Sequence, residues 1–238
     1  MSPQFPNTPD NAPESAKNLP STQDLQRYVA SYFRYFHPHL PFLHIPTLSF
    51  DTPSAGNGRS NIVGGSGCLV LSMAAIGALY EMERSQSKEL FEMAKKMIQL
   101  YLEERRKADM RKADFRRTPS SDQGSQGPES SIHTPLWLVQ AMLLNVVYGH
   151  NCGDKTANDI ASTHSTALVS LAQAAGLLRP LKLDSVEIRE IQMNDAEGNW
   201  NGGIKAETEE QAEWLRWKTM EERKRTLYVI FILSSLLV

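Results

Sequence analysis

Three histidines in one short stretch, His37, His39 and His44, are the densest set of side chains in this chain that could ligate a metal or move a proton. Neutral imidazole is a common metal ligand and titrates near neutrality. One reading is therefore a helical metal- or small-ligand-binding enzyme that uses the His37/His39/His44 cluster. The spacing argues against it: the three do not fall on successive turns of one helix, neither cysteine is near, and no carboxylate stands among them. Their bland alternative is to pack at turns and bond backbone carbonyls. His164 lies on the apolar side of a helical pattern with no serine or cysteine motif ahead of it and no acid at a helical interval to orient it, which predicts a satisfied core histidine and no catalytic residue.

The elements that must hold these rings follow from the surrounding residues. Leu25, Tyr28, Tyr32 and Phe36 recur at helical spacing and predict a first helix over 22–36, with Ser21 and Asp24 as its capping pair. Pro38, Pro41 and Pro46 each remove a backbone donor and disfavour the α region at His37, Leu40 and Ile45, so extended backbone is expected from about His37 to Phe50. That strap still presents Leu40, Phe42, Leu43, Ile45, Leu48 and Phe50, and it reads as a proline-stiffened belt clamped on a helical body.

Composition bounds the rest. The chain has 238 residues, 41% of them hydrophobic, which suffices for a sizeable core. Its 25 basic and 27 acidic residues leave a net charge of −2, so no broad basic surface for nucleic acid is expected. Cys68 and Cys152, both in apolar surroundings, suit a reducing compartment better than a disulfide framework.

The remaining elements read as helices separated by polar loops. Residues 1–20 read as a disordered leader, and 51–66, 116–133 and 181–208 as flexible loops. Cys68 to Met82 is apolar or small almost throughout, which predicts a helix buried on all sides, with Gly77 allowing close approach. Too few apolar residues run together there to span a bilayer, and no membrane partner is expected. An amphipathic helix over about 87–113 presents Leu90, Ala94, Met97, Ile98, Tyr101 and Leu102 on one face. Its basic run from Arg105 to Arg117 is interleaved with acids and reads as a solvated helix end. Thr134 as N-cap and Pro135 as first helical residue open an apolar helix ended by Gly149. A helix over 155–175, with Ile160, His164, Ala167, Leu168, Leu171, Ala174 and Ala175 inward and Gly176 as its stop, should pair with it as an antiparallel hairpin. A last helix from about Glu209 carries Trp214 and Trp217, lets Glu221 or Glu222 pair with Arg225, and turns apolar beyond Thr226. The fold class is all-α: a multi-helix array of antiparallel hairpins with a proline-rich belt and long polar loops.

Three segments together resemble the regulatory middle homology region of fungal transcription factors. The belt matches its opening turn at Tyr32, Phe36, His37, Pro38, Pro41, Phe42, Leu43, His44 and Pro46. The second hairpin matches at Leu136, Gln140, Leu143, Ala172, Gly176, Leu177 and Leu178. The last helix matches at Trp214, Trp217, Glu221, Glu222, Arg223, Arg225, Tyr228 and Phe231, and departs from the commonest form where Ser234 replaces an aspartate. Its ending and the belt look more like the branch that carries Cys2His2 fingers. The resemblance, over about 22–238, implies a non-enzymatic regulatory domain acting in the nucleus, with partners among other transcription-regulatory proteins or within its own chain, and with room for a small effector. It further implies that DNA binding and zinc belong to a finger module absent from these 238 residues, and that this chain needs no cofactor of its own. The terminal helix stops uncapped at Val238, so the expectation is a fragment lacking about half of the usual helical array.

Overall fold

Ser21 opens the fold by accepting the Asp24 backbone N–H through its side chain, at 3.1 Å. The computed structural model describes residues 20–48, 67–117, 134–179 and 209–236. The leader, the loops at 51–66 and 181–208, nearly all of 116–133, Phe50, and most side chains of the basic run to Arg117 lie outside the described residues. Six α-helices and no strand occur among those described: α1 Thr22–Ser31, α2 Gly67–Tyr80, α3 Arg84–Arg117, α4 Leu136–Asn151, α5 Lys155–Ala174 and α6 Glu209–Leu236. The all-α expectation holds.

α1 passes into a π-helical turn, Tyr32–Phe36, in which the His37 N–H reaches back to the Tyr32 carbonyl at 2.9 Å. Here the structure corrects the expected belt geometry. His37 stays in the right-handed α region, at φ −53° and ψ −36°, although Pro38 follows it. The widened turn supplies the reason: shifting the hydrogen bond to i−5 relieves the crowding that a proline ring imposes on an ordinary helix. Ile45 likewise sits in a short 3-10 turn, Ile45–Thr47, and is not extended. The belt is therefore a series of turns, with the expected extended backbone kept at His44 and Leu48, and it is pinned at Phe42 and Leu43, both inside the core, while Ile45 remains 41% exposed. Leu40 and Leu48 are partly buried against the same core.

α2 is the central helix. Ten of its residues are buried, and it touches α1, α3 and α4, as an apolar helix without a polar face must. At Gly77 the α1 backbone comes so close that a β-carbon would lie 1.8 Å from the Tyr28 carbonyl oxygen. Met82, at φ +63°, turns the chain into α3. α3 is longer than expected, and buries Leu90, Phe91, Ala94 and Ile98 with Met97, Tyr101 and Leu102 partly covered.

The second hairpin differs from its sequence reading in three places. Pro135, not Thr134, occupies the N-cap of α4, and no side chain caps that end. Gly149 does not end α4, which runs on to Asn151; a β-carbon there would lie 2.6 Å from the Ala157 carbonyl and from the Ala161 β-carbon. Gly149 is thus a close-approach residue between α4 and α5, and the turn falls to Gly153 at φ +74°. The inward stripe of α5 is Ala157, Ala161, Leu168, Leu171, Ala172 and Ala175, whereas Ala167 and Ala174 face solvent. The stripe is set by contact with Gly149, which draws Ala157 and Ala161 inward and so rotates the helix. Gly176, at φ +67°, ends α5 as expected.

Candidate functional site

α6 turns a row of charged and hydroxyl side chains toward the helical body before its apolar half begins. Lys218, Thr219, Glu222, Arg223 and Thr226 are all buried, followed by Val229 and Ile230. Their spacing of three and four residues puts them on one side of the helix. Lys218 and Thr219 find their partners within α6, at Glu222 and the Leu215 carbonyl, whereas Glu222, Arg223 and Thr226 reach other elements. The Lys218 ammonium donates to Glu222 at 2.8 Å, with both side chains under one-tenth exposed. The second carboxylate oxygen of Glu222 accepts the His44 backbone N–H at 3.3 Å, tying α6 to the belt across 178 positions of sequence. Arg223 donates to the Ala175 carbonyl at the end of α5, at 2.8 Å. The Gln140 amide of α4 donates to the Thr226 hydroxyl at 3.3 Å.

Of the residues singled out by spacing, Phe42, His44, Trp217, Glu221 and Arg225 line one cleft at this seam, and Gln140 and Gly176 meet α6 next to it. Phe42 is fully buried beside it, and the Phe36 ring lies 5.3 Å from that of Tyr32. His37 is buried, and since a carbonyl can only accept, its Nε2–H donates to Leu43, at 3.1 Å. That bond fixes the turn that carries Pro38 and Pro41, both exposed, while Pro46 lies exposed in the following 3-10 turn. The His44 ring meets the Trp214 ring edge-on at 5.7 Å. A small cleft of about 20 Å³, wide enough for a single water, separates Phe42 and His44 from Trp217 and Glu221. Gly176 brings the end of α5 under Arg223, whose guanidinium would sit 3.6 Å from a β-carbon there. Glu221 pairs with Arg225 at 2.9 Å on the outer side of α6, which settles the choice left open between Glu221 and Glu222. Trp214 and Trp217 stay 43% and 57% exposed, and Tyr228 and Phe231 are more than half exposed.

The three belt histidines do not form a ligand set. Among the described residues no group of three or more His, Cys, Asp and Glu side chains comes together. His39 is exposed, His37 is spent on a carbonyl, and His44 faces Trp214. His164 is half-buried on α5, where burial and the Lys95 charge lower its pKa. No helix among the described residues is long and apolar enough to cross a membrane.

Sequence reasoning missed Lys218 and Thr226 as seam residues. Their signal was present, since Lys218, Glu222 and Thr226 recur every four residues, but charged residues at that spacing usually mark a solvated face.

Burial holds the His37 ring below its ordinary pKa, against the pull of the Leu43 carbonyl, and the nearby Arg225 charge lowers it further. Burial lowers His44 as well, in spite of Glu222. A histidine depressed by folding contributes stability that is complete above the unfolded value of about 6.5 and is lost as pH falls from there through the lower folded value. Thermal unfolding measured from about pH 7.5 down to 5.5 should therefore show Tm falling with acidity, and His37→Gln should flatten part of that slope. An unchanged slope would show that His37 is not buried in neutral form.

Comparison with known proteins places this architecture. The probable transcription factor TDA9 of Saccharomyces cerevisiae is 25% identical over 184 residues, which is 75% of this chain and 12% of that protein. The chain thus spans only about an eighth of the curated relative it matches. No solved structure matches it. Residues 29–237 match the model of the fungal specific transcription factor domain, and with nearly all of its helices inside that match the chain belongs to this family.

Proposed function

We propose that this domain is the regulatory part of a nuclear transcription factor, and that it works by holding the belt against α6 instead of by catalysing a reaction. DNA contact and structural zinc belong, in this reading, to a Cys2His2 finger module encoded outside these 238 residues. The partners are other transcription-regulatory proteins or segments of the same polypeptide. One observation carries the reading: segments far apart in sequence converge on a buried polar row of α6, where Glu222 accepts from the belt and pairs with Lys218. In some proteins buried polar contacts fix one arrangement over others without adding stability, and the Lys218–Glu222 pair is assigned that role here. The exposed aromatic side of α6, with Trp217, Tyr228 and Phe231, is then available to a partner.

The test uses a variant that keeps the seam packed but removes its polar latch. Lys218→Met/Glu222→Leu, in the full chain fused to an unrelated DNA-binding module, should change reporter output by at least about fivefold, the lower end of a coupling of 1 to 3 kcal/mol. The affinity of the attached module for its DNA should stay the same. Unaltered output from a folded variant would remove the latch from the mechanism.

A further inference from the structure

Away from α6, the starts of α3 and α5 and the end of α4 enclose a cavity of about 220 Å³. Its floor is a stacked aromatic pair, Phe91 on Tyr148, with ring centroids 4.4 Å apart. Leu79 and Ala157 form apolar walls, and Cys152 lines it beside them with its thiol 3.7 Å from the Gly149 carbonyl. Ser87 donates to the Ala75 carbonyl at 2.6 Å and lies 3.0 Å from the Tyr148 hydroxyl, so the aromatic floor is held rigidly. The volume is below the roughly 300 to 1,000 Å³ of pockets for drug-sized ligands. A single ring or a short chain fits it.

The charge on the rim decides what that small body must carry. Asp154 is occupied twice, by Lys88 at 2.8 Å and by the Thr156 backbone N–H at 2.9 Å, and both contacts hold its carboxyl below the ordinary range. Glu92 is taken by Lys95. Arg84 has no ion-pair partner among the described residues. α3 begins at Arg84 and α5 at Lys155, so two helices direct their positive ends toward the same rim. An aromatic floor with a guanidinium at the mouth that is unpaired among the described residues suits an amphipathic anion.

We infer that this cavity is a binding site for a small carboxylic acid with an apolar ring or short aliphatic tail, the tail against Phe91 and Tyr148 and the carboxylate on Arg84. Because its walls come from the α2–α3 turn and the α4–α5 turn, an occupant bridges the two helical hairpins. This inference does not depend on the α6 latch, and its test reads binding directly, so either can fail alone.

Cys152 supplies the reporter. It is partly accessible, whereas Cys68 is buried and its thiol is pushed up to about 12 by that burial, so a neutral alkylating reagent such as N-ethylmaleimide reads Cys152. The probes are benzoate and hexanoate, with benzamide and hexanamide as uncharged counterparts. At least one acid should slow alkylation saturably, by roughly tenfold at about ten times its Kd. The amides should protect far less, and Arg84→Gln, at an exposed position, should abolish protection by the acid. The inference is overturned by an unchanged rate with both acids up to about 20 mM, a range that includes the millimolar Kd expected of so small a ligand. Equal protection by the amides, or protection that survives Arg84→Gln, overturns it as well.

Discussion

Gly77→Ala is expected to destabilise the domain by about 3 kcal/mol or more, beyond what an ordinary small-to-large change in a core costs. A β-carbon at this position would stand 1.8 Å from the Tyr28 carbonyl oxygen and 2.6 Å from its carbon. Both are backbone atoms. A flexible side chain could swing aside, but here α1 must move bodily away from α2, and Tyr28 and Tyr32, both in the core, must move with it. For a domain of this size that corresponds to a fall in Tm of roughly 6 to 12 °C. Gly149→Ala should cost less, because its closest contacts, the Ala157 carbonyl and the Ala161 β-carbon, lie at 2.6 Å where Gly77 meets an atom at 1.8 Å, although neither of the two can swing aside. Gly153→Ala meets nothing within 4 Å and should show only the strain of its positive φ, about 1 to 2 kcal/mol. Chemical denaturation of the three variants gives the order directly. A Gly77→Ala protein within about 0.5 kcal/mol of wild type would mean that α1 does not pack on α2 as described.

Glu222→Ala should lose about 3 to 5 kcal/mol, the range for removing one partner of a buried ion pair. The loss has two sources: the Lys218 ammonium is left buried with its carboxylate gone, and the His44 N–H loses its acceptor. Glu221→Ala, one residue away, breaks an outer pair with Arg225 in which the arginine side chain is 47% exposed, and should cost under about 1 kcal/mol. Lys218→Met/Glu222→Leu should recover the part of the Glu222→Ala loss that comes from the stranded Lys218 ammonium, while the His44 N–H still lacks Glu222 as acceptor and Arg223 keeps the Ala175 carbonyl. A double-mutant cycle on Lys218 and Glu222 isolates their coupling. Equal losses for Glu221→Ala and Glu222→Ala would contradict the orientation of α6. The contrast matters for function too, because the double variant is the folded protein without its latch on which the reporter measurement depends.

Much of this architecture is local and could be read before any coordinates. The apolar run from Cys68 is a helix because nothing in it can face water, and its glycine at Gly77 marks a close crossing. Ser21 and Gly176 punctuate helices by satisfying or redirecting backbone groups within a few residues of themselves. The three motif segments were legible for the same reason: each is a short pattern of prolines, rings and charges at fixed spacing. Family membership follows from them and agrees with the match over 29–237.

Other features were decided only when the helices packed. A proline after His37 disfavours an ordinary α turn more than a π turn, and which one forms depends on Tyr32 and Phe42 being drawn into the same core. Gly149 looks like a helix stop until α5 lies against it. Glu221 and Glu222 are chemically identical neighbours, yet about 100° of helical rotation puts one in solvent and the other under the belt. The cavity between the two hairpins has walls from four helices and no sequence signature of its own. Sequence by itself determined where the helices are, which short motifs they carry and that the fold is all-α, because periodicity and capping act within a turn or two of the chain; the transcription-factor family entered through the resemblance of those motifs. Tertiary structure alone decided which face of α6 turns inward, which carboxylate is buried and where an open chamber remains, because those outcomes depend on surfaces brought together from distant parts of the chain.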